Sequence, residues 1–327
     1  MRYSYKQIIT PEHLLETWKL FLRGKRHKKD VAQFEANLAG ELAALHRDLA
    51  RKTYVHGPYA AFHVADPKPR DIHKASVRDR FVHHLIYKAL YPYFDKRFIH
   101  DSYSCRKEKG THRALDRFRY FAGKVSQNNT CTCYVLKCDV RKFFANIRHD
   151  VLFKILEWHI PGKDMLYLIR QVVSSFHANQ QGVGLPLGNL TSQLLVNVYM
   201  HEFDRYVKHN LNIKYYIRYA DDFAVLSEDK RYLEETLSQI SSFLQKRLHL
   251  TLHDDKVSIQ TYTSGVDFLG WVHFPGYRKL RTSTKRRILR KMKYYPRRES
   301  VNSYRGFLRH GDTYKIRKEA GFTSPYL

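Results

Sequence analysis

The sequence predicts one α+β body carrying a helical C-terminal appendage. Three observations lead there: stretches with apolar residues at helical spacing alternate with short strand-like runs, those runs come in pairs broken by turn residues, and no internal repeat or long low-complexity linker divides the chain. A chain of 327 residues can bury a sizeable core without disulfide staples.

"ITPEHLLETWKLFLRG" opens with Thr10 as N-cap, Pro11 at the first helical position and Glu12 in the first turn, then keeps helical spacing up to Gly24. After the basic "KRHKK", the stretch "VAQFEANLAGELAALHRDLARK" reads as a second helix, and the pair forms an N-terminal helical extension over residues 1–58. "GPYAAFHVADPKPRDI" changes to short extended runs punctuated by proline. "SVRDRFVHHLIYKALYPYFDKRF" returns to helix, with Ser76 and Asp79 spaced as a capping box. A further helix is expected after Thr111, a buried strand at "CYVLKCDV" and a helix at "HDVLFKILEWHI". "GNLTSQLLVNVYMHEFDRYVKHNL" reads as a long amphipathic helix and "YYIRYADDFAVLS" as strand, turn, strand. A helix over roughly 230–248 precedes strands at "KVSIQTY" and "VDFLGWVHF", and "TSTKRRILRKMKYYPRRES" reads as a very basic helical tail.

Lysine and arginine outnumber aspartate and glutamate 58 to 31, and the resulting charge of +27 repels itself unless a polyanion neutralises it. Nucleic acid is the leading partner. An anionic membrane surface is the rival, but no stretch approaches the length of a spanning helix, and "MRYSYKQIITPEHLL" lacks a signal-peptide apolar region. No membrane partner and a cytoplasmic location are therefore expected. Of the four cysteines, Cys105, Cys131, Cys133 and Cys138, three crowd into "CTCYVLKC" without the CxxC pairs of zinc ribbons, and they read as reduced thiols in and beside a buried strand. The 19 histidines are scattered and are assigned no metal.

Aspartate is depleted in strands and costly to bury unless paired or bound to a cation. Asp139 ends the apolar run "YVLKCDV", and Asp221 and Asp222 interrupt a second such run. An isolated Asp-Asp pair is ordinarily a solvated hairpin turn. If the strand that Asp139 ends is a neighbour of theirs in one sheet, the carboxylates converge and call for a cation, and magnesium, a hard ion suited to one or two carboxylates plus water and phosphate oxygens, fits. The chemistry pointed to is phosphoryl or nucleotidyl transfer.

The order of "KPRDIHKASVRDR", "SYSCRKEKGTHRAL", "LKCDVRKFFANI", "GLPLGNLTSQLLVNVYM", "YIRYADDFAVLS", "LHLTLHDDKV" and "VDFLGW" resembles the consecutive blocks of reverse transcriptases over roughly residues 60–275. The resemblance implies a right-hand polymerase, with fingers and an antiparallel-sheet palm over residues 59–275 and a basic helical thumb over 276–327. It implies RNA-directed DNA polymerisation from dNTPs with two Mg2+ ions, and as partners a structured template RNA and the RNA/cDNA duplex. Within the family the chain looks most like the enzymes of diversity-generating retroelements, with group II intron-type enzymes as near relatives. In "GLPLGNLTSQ" it carries Leu187 where the intron type has glutamine, and Ser192-Gln193 where that type has Ser-Pro. That subtype implies error-prone copying and a small basic accessory protein. A chain ending at Leu327 is expected to lack maturase and endonuclease domains. The alternatives are a group II intron-type, retron or antiviral-defence reverse transcriptase with the same chemistry, or a non-catalytic RNA-binding protein with a polymerase-like fold. The aromatic Phe144 disfavours an RNA-dependent RNA polymerase.

Residue by residue, Asp139, Asp221 and Asp222 match the family's metal triad, with the Val140 backbone carbonyl as a further ligand. Phe144 matches the aromatic gate under the sugar, and Phe143 is expected in the core. Lys68 and Arg70 match residues holding the incoming triphosphate. Arg78 and Arg80 either touch template backbone or pair with Asp79, the structural role being favoured for Arg80. Leu187 and Gly188 match the segment under the nascent base pair, where leucine can pack but not hydrogen-bond. Lys256 matches a lysine that could protonate departing pyrophosphate, though a surface lysine at a strand start reads equally well. Phe268, Leu269, Gly270 and Trp271 match the primer grip. Lys285, Arg286, Arg287, Arg290 and Lys291 would track duplex phosphates from the thumb.

Overall fold

Cap chemistry starts the chain as its sequence predicts. In the computed structural model, which describes residues 4–65, 69–294 and 296–322, Ser4 caps α1 (Tyr5–Ile8) and the Thr10 hydroxyl accepts from the His13 N–H at 3.3 Å to cap α2 (Pro11–Phe21). The expected second helix is two, α3 (Lys29–Ala36) and α4 (Leu38–Ala50), because Asn37 leaves helical geometry at φ −118° and ψ 35°. β1 (Ala60–Val64) and β2 (Arg70–Lys74) form an antiparallel pair. α5 (Val77–Asp95) starts with the Asp79 N–H donating to Ser76 Oγ at 3.1 Å. Instead of closing the box on the Ser76 N–H, the Asp79 carboxylate accepts from Tyr54 Oη at 2.7 Å and the Gly57 N–H at 3.2 Å. Arg80 pairs with Asp30 at 2.6 Å and Arg78 with Asp48, so both arginines serve neighbouring helices and neither pairs with Asp79.

α6 (Thr111–Val125), β3 (Tyr134–Asp139) and α7 (His149–His159) stand where expected. α8 (Lys163–Val173) is an additional helix that buries Met165, Leu168, Ile169 and Val172 on one face. α9 (Leu190–Arg205) ends earlier than its apolar pattern predicts, in a π-helical turn over Tyr206–Asn210. β4 (Tyr216–Tyr219), β5 (Asp222–Ser227), α10 (Lys230–Leu248) and β6 (Ser258–Thr261) follow. "VDFLGWVHF" is a hairpin of β7 (Val266–Phe268) and β8 (Trp271–Phe274), and the C-terminal segment opens with a strand, β9 (Tyr277–Leu280), paired to β8. The basic tail is three helices, α11 (Thr282–Tyr294), α12 (Arg298–Phe307) and α13 (Tyr314–Glu319). No helix among the described residues is long and apolar enough to cross a membrane. All four cysteines are free, Cys133 and Cys138 buried, Cys105 and Cys131 exposed.

The chain builds two compact units. The first takes the segments up to Ile99, Val140–Asn210 and Ser242–Thr251. There Trp18 meets Phe81 edge-on at 5.4 Å, joining α2 to α5, and α5 packs along α9. The second takes His100–Asp139, Leu211–Ser241 and the chain from Leu252 onward. Its main sheet has the strand order β4-β5-β3-β6, all antiparallel, and β7-β8-β9 make a smaller sheet. Leu115, Phe118 and Ala122 of α6 share one buried cluster with Val135, Ile217, Ala224 and Leu226 of the main sheet and with Phe268 and Trp271. That burial supplies the main driving force of this unit.

Candidate active site

Two strand ends and one turn bring the acidic residues together in the second unit. Asp139 closes β3 and is the direct cross-strand partner of Asp222, which opens β5, while Asp222 also faces Tyr219 across the hairpin. Strand alternation therefore puts Lys137, Asp139 and Asp222 on one face. Between Tyr219 and Asp222 stands a two-residue turn, Ala220-Asp221, with Ala220 at φ +56°. A left-handed alanine costs roughly 1–2 kcal/mol, so the surroundings must hold it. Arg218, fully buried beneath the turn, does so: its Nη1 donates to the Ala220 carbonyl at 3.0 Å and its Nη2 to Ser102 Oγ at 3.1 Å. An arginine reads as a surface residue, and only the fold reveals this brace.

The charge at this sheet end is unbalanced. Asp222 Oδ1 is buried without a hydrogen-bond partner. Burial first, then the carboxylates of Asp139, Asp221 and Asp267, against opposition from Lys137, push its carboxyl up to about 7. Burial, helped by Asp222 and Asp139, likewise pushes the Cys138 thiol up. Asp139 is answered by Lys256, whose Nζ donates to Oδ1 at 2.6 Å, and the Asp139 carbonyl accepts from the His253 N–H at 2.8 Å. Among the described residues no group of three His, Cys, Asp or Glu side chains is placed to hold a metal ion. The fit to a cation rests instead on the orphaned Asp222 oxygen and the repulsion around it, both of which a divalent ion at this end of the sheet would relieve.

The same unit holds the other basic and aromatic candidates. Phe268 and Trp271, both fully buried, flank the Leu269-Gly270 turn, with φ of +50° and +84°, the two positive values of a type I′ hairpin. A Cβ on Gly270 would meet only Thr284 Oγ1 at 3.6 Å, so the backbone angle rather than space calls for glycine there. On α11, Arg286 and Arg290 are exposed one turn apart, whereas Lys285 lies 3.4 Å from Glu319, Lys291 sits 6.0 Å over the Tyr304 ring, and Arg287 is half-buried.

In the first unit, Phe143 is buried, as expected of a core residue, and Phe144 beside it is half-buried. The Leu185 N–H donates to the Phe144 carbonyl at 2.8 Å, which ties the Phe144 turn to the strip running into Leu187 and Gly188. That strip is bonded to β2: the His73 N–H donates to the Leu187 carbonyl at 3.1 Å, and Asn189 Nδ2 donates to the His73 carbonyl at 2.8 Å. Gly188 has φ +98°, and a Cβ there would stand 2.8 Å from Ile72 Cγ2, so both the angle and the approach of β2 exclude a side chain. Arg70 opens β2 opposite Val64 and is exposed; Lys68 lies outside the described residues. Val140, the residue after Asp139, is buried.

A protein-family profile described as reverse transcriptase (RNA-dependent DNA polymerase) matches residues 65–273. Protein YkfC of Escherichia coli (strain K12) is 25% identical over 308 residues, 80% of each chain. The group II intron-encoded protein LtrA of Lactococcus lactis subsp. cremoris is 22% identical over 294 residues, 67% of this chain and 47% of that one. Among solved structures, apo telomerase from Candida tropicalis aligns with a TM-score of 0.54 at 12% identity, covering 81% of this chain and 56% of that one. Telomerase from Candida albicans in complex with the TWJ fragment of telomeric RNA aligns at 0.52 and 12% identity, covering 83% of this chain and 55% of that one. The chain thus spans most of YkfC but about half the length of LtrA and of the telomerases. At these identities the structural match is one of fold, and the fold is that of a right-hand polymerase.

Proposed function

The chain belongs to the reverse transcriptase family of RNA-dependent DNA polymerases, and from that premise we propose that it copies a structured RNA by joining dNTPs to a 3′-hydroxyl. The observation that carries the reading is the pairing of Asp139 with Asp222 beside the Ala220-Asp221 turn, with one buried carboxylate oxygen left unpartnered. Asp139, Asp221 and Asp222, with the Val140 carbonyl, would hold divalent cations, two Mg2+ ions by analogy with the family. Bound there, they would neutralise the triphosphate and lower the pKa of the attacking hydroxyl. Arg70, with Lys68, would clamp the triphosphate. Phe144 would close the space beneath the sugar, and Leu187 and Gly188 would support the nascent pair. Lys256, bonded to Asp139, would deliver a proton to the leaving pyrophosphate. Positioning and fixed charge would supply most of the rate. Residues 1–58, 59–275 and 276–327 would serve as extension, fingers with palm, and thumb.

We further propose mutagenic copying within a diversity-generating retroelement, with an accessory protein as partner. Leu187 and Ser192-Gln193 support that subtype. The similarity to LtrA favours a second reading, an intron-type enzyme with the same chemistry. Sequencing cDNA made from the native RNA separates them. Errors concentrated opposite template adenines support the first reading, and faithful copies of an intron-bearing RNA support the second.

A further inference from the structure

A second RNA contact can be read from the far end of the catalytic sheet. Asp139 closes β3 at one end, while the Tyr262 N–H donates to the Cys133 carbonyl at 2.8 Å beyond the other, Tyr134 end. The strand between them spans roughly 17 Å at about 3.3 Å per residue. There the second unit carries a cleft of about 600 Å³, floored by α6 and Tyr262.

The polar stripe of α6 builds the cleft. Asp116, Arg119, Tyr120, Gly123 and Lys124 recur at helical spacing opposite the buried Leu115, Phe118, Ala122 and Val125. Tyr120 is 51% exposed, an unusual investment of aromatic surface, and two cations lie against its ring, Arg117 at 5.1 Å and Lys124 at 5.6 Å. Arg117 is fixed in turn by Asp101 at 2.8 Å. The acidic side chain of the cleft, Asp116, is taken by Arg278 at 3.2 Å, so the local field stays positive.

Two oddities at the rim point the same way. Gln127, Asn128 and Asn129 all have left-handed φ, 49°, 59° and 72°, a conformation L-residues ordinarily adopt singly. Buried Ser126 pins the loop by accepting from the Asn129 N–H at 2.9 Å and donating to Asn129 Oδ1 at 3.4 Å, and Asn128 and Asn129 line the cleft. Gly123 stands inside α6, where alanine would favour the helix, yet a Cβ there would meet nothing nearer than Asn128 Oδ1 at 3.8 Å. Packing therefore leaves the glycine unexplained, and the floor of the cleft at this point is open.

We propose that this cleft holds one nucleotide of single-stranded RNA, its base stacked on Tyr120 and edged by the Asn128 and Asn129 amides, its phosphate between Arg119 and Lys124. Stacking on an exposed aromatic beside cations is how proteins hold single strands without base pairing. The site would hold an unpaired stretch of RNA apart from the reacting duplex end. The inference rests on the reading that the chain handles RNA, but not on catalysis.

The test measures binding of a labelled oligouridylate to the full chain, with excess unlabelled RNA/DNA duplex present to occupy the proposed polymerase site. Tyr120→Ala should weaken binding about ten-fold or more, and Tyr120→Phe should restore it. Lys124→Gln should lower the slope of log affinity against log salt by about 0.7. Extension of a short pre-annealed primer should not change, and an unaltered melting temperature shows that the variants fold. Equal affinity in Tyr120→Ala overturns the proposal, as does Tyr120-dependent binding of oligoglutamate in place of RNA, which would mark a site for an acidic protein. A chain that extends primers but binds no single strand refutes this site and leaves the polymerase reading standing. Tyr120-dependent binding in a chain that extends nothing does the reverse.

Discussion

Asp222 concentrates the electrostatic problem at the residue scale. Above about pH 7 it is ionised beside Asp139 and Asp221 with a buried oxygen unpaired. Asp222→Asn should therefore raise the melting temperature of the metal-free chain at pH 8 by a few degrees and abolish primer extension. Melting in chelator checks the first effect, and a lower melting temperature would show that the carboxylate is instead satisfied in the fold. Phe144 lies half-buried beside its core neighbour Phe143, and the gate proposed there would exclude bulk beneath the sugar. Phe144→Ala should raise ribonucleotide incorporation at least ten-fold, as read by single-nucleotide extension with rNTPs and dNTPs, and unchanged discrimination would remove it as the gate. Leu187→Gln should lower misincorporation opposite template adenine; an indifferent error spectrum would detach fidelity from this position.

Single elements carry the strain and the buried polar groups. His83 on α5 is buried, bonds Thr191 Oγ1 at 3.0 Å and approaches His56 Nε2 at 2.9 Å. Burial first, then His56, lowers its pKa to about 3, from 6.5 in the unfolded chain. The unfolded state therefore binds the extra proton between those values, so this contribution is complete above pH 6.5 and is lost as pH falls toward 3, amounting to a few kcal/mol. Urea unfolding at pH 7 and pH 4.5 should show a steep acid loss that His83→Gln flattens; parallel losses would contradict it. Local chemistry explains what could be read in advance: Thr10 and Pro11 cap a helix by themselves, and alternation with turn residues marks β3, β4 and β5. Other features depend on tertiary context. Asn37 breaks a helix within an otherwise continuous apolar period, β9 is four residues of which only Leu280 is buried and which pair only because β8 is there, and Arg218 is buried only once Ser102 and the Ala220 carbonyl are in place.

For the whole molecule, the +27 charge is the largest fact, and the polyanion it calls for should bind through counterion release. Of the five α11 cations matched to the duplex, Arg286 and Arg290 are exposed, so the double substitution to glutamine should lower the salt slope of duplex binding by about 2, whereas Lys285→Gln, which breaks the contact with Glu319, should change it less. The order of the family's blocks was legible along the chain, and three strand-borne aspartates stood out within them. Their pairing was not, because Asp139 reaches Asp222 through strand register and Lys256 through a loop far away in sequence. The decisive measurement is primer extension on a primed RNA template with dNTPs and Mg2+, comparing the native chain with a folded Asp221→Asn variant. Magnesium-dependent cDNA synthesis that the substitution lowers at least a thousand-fold is the predicted result; equal extension by both proteins would contradict the assignment of this carboxylate pair and turn as the catalytic centre.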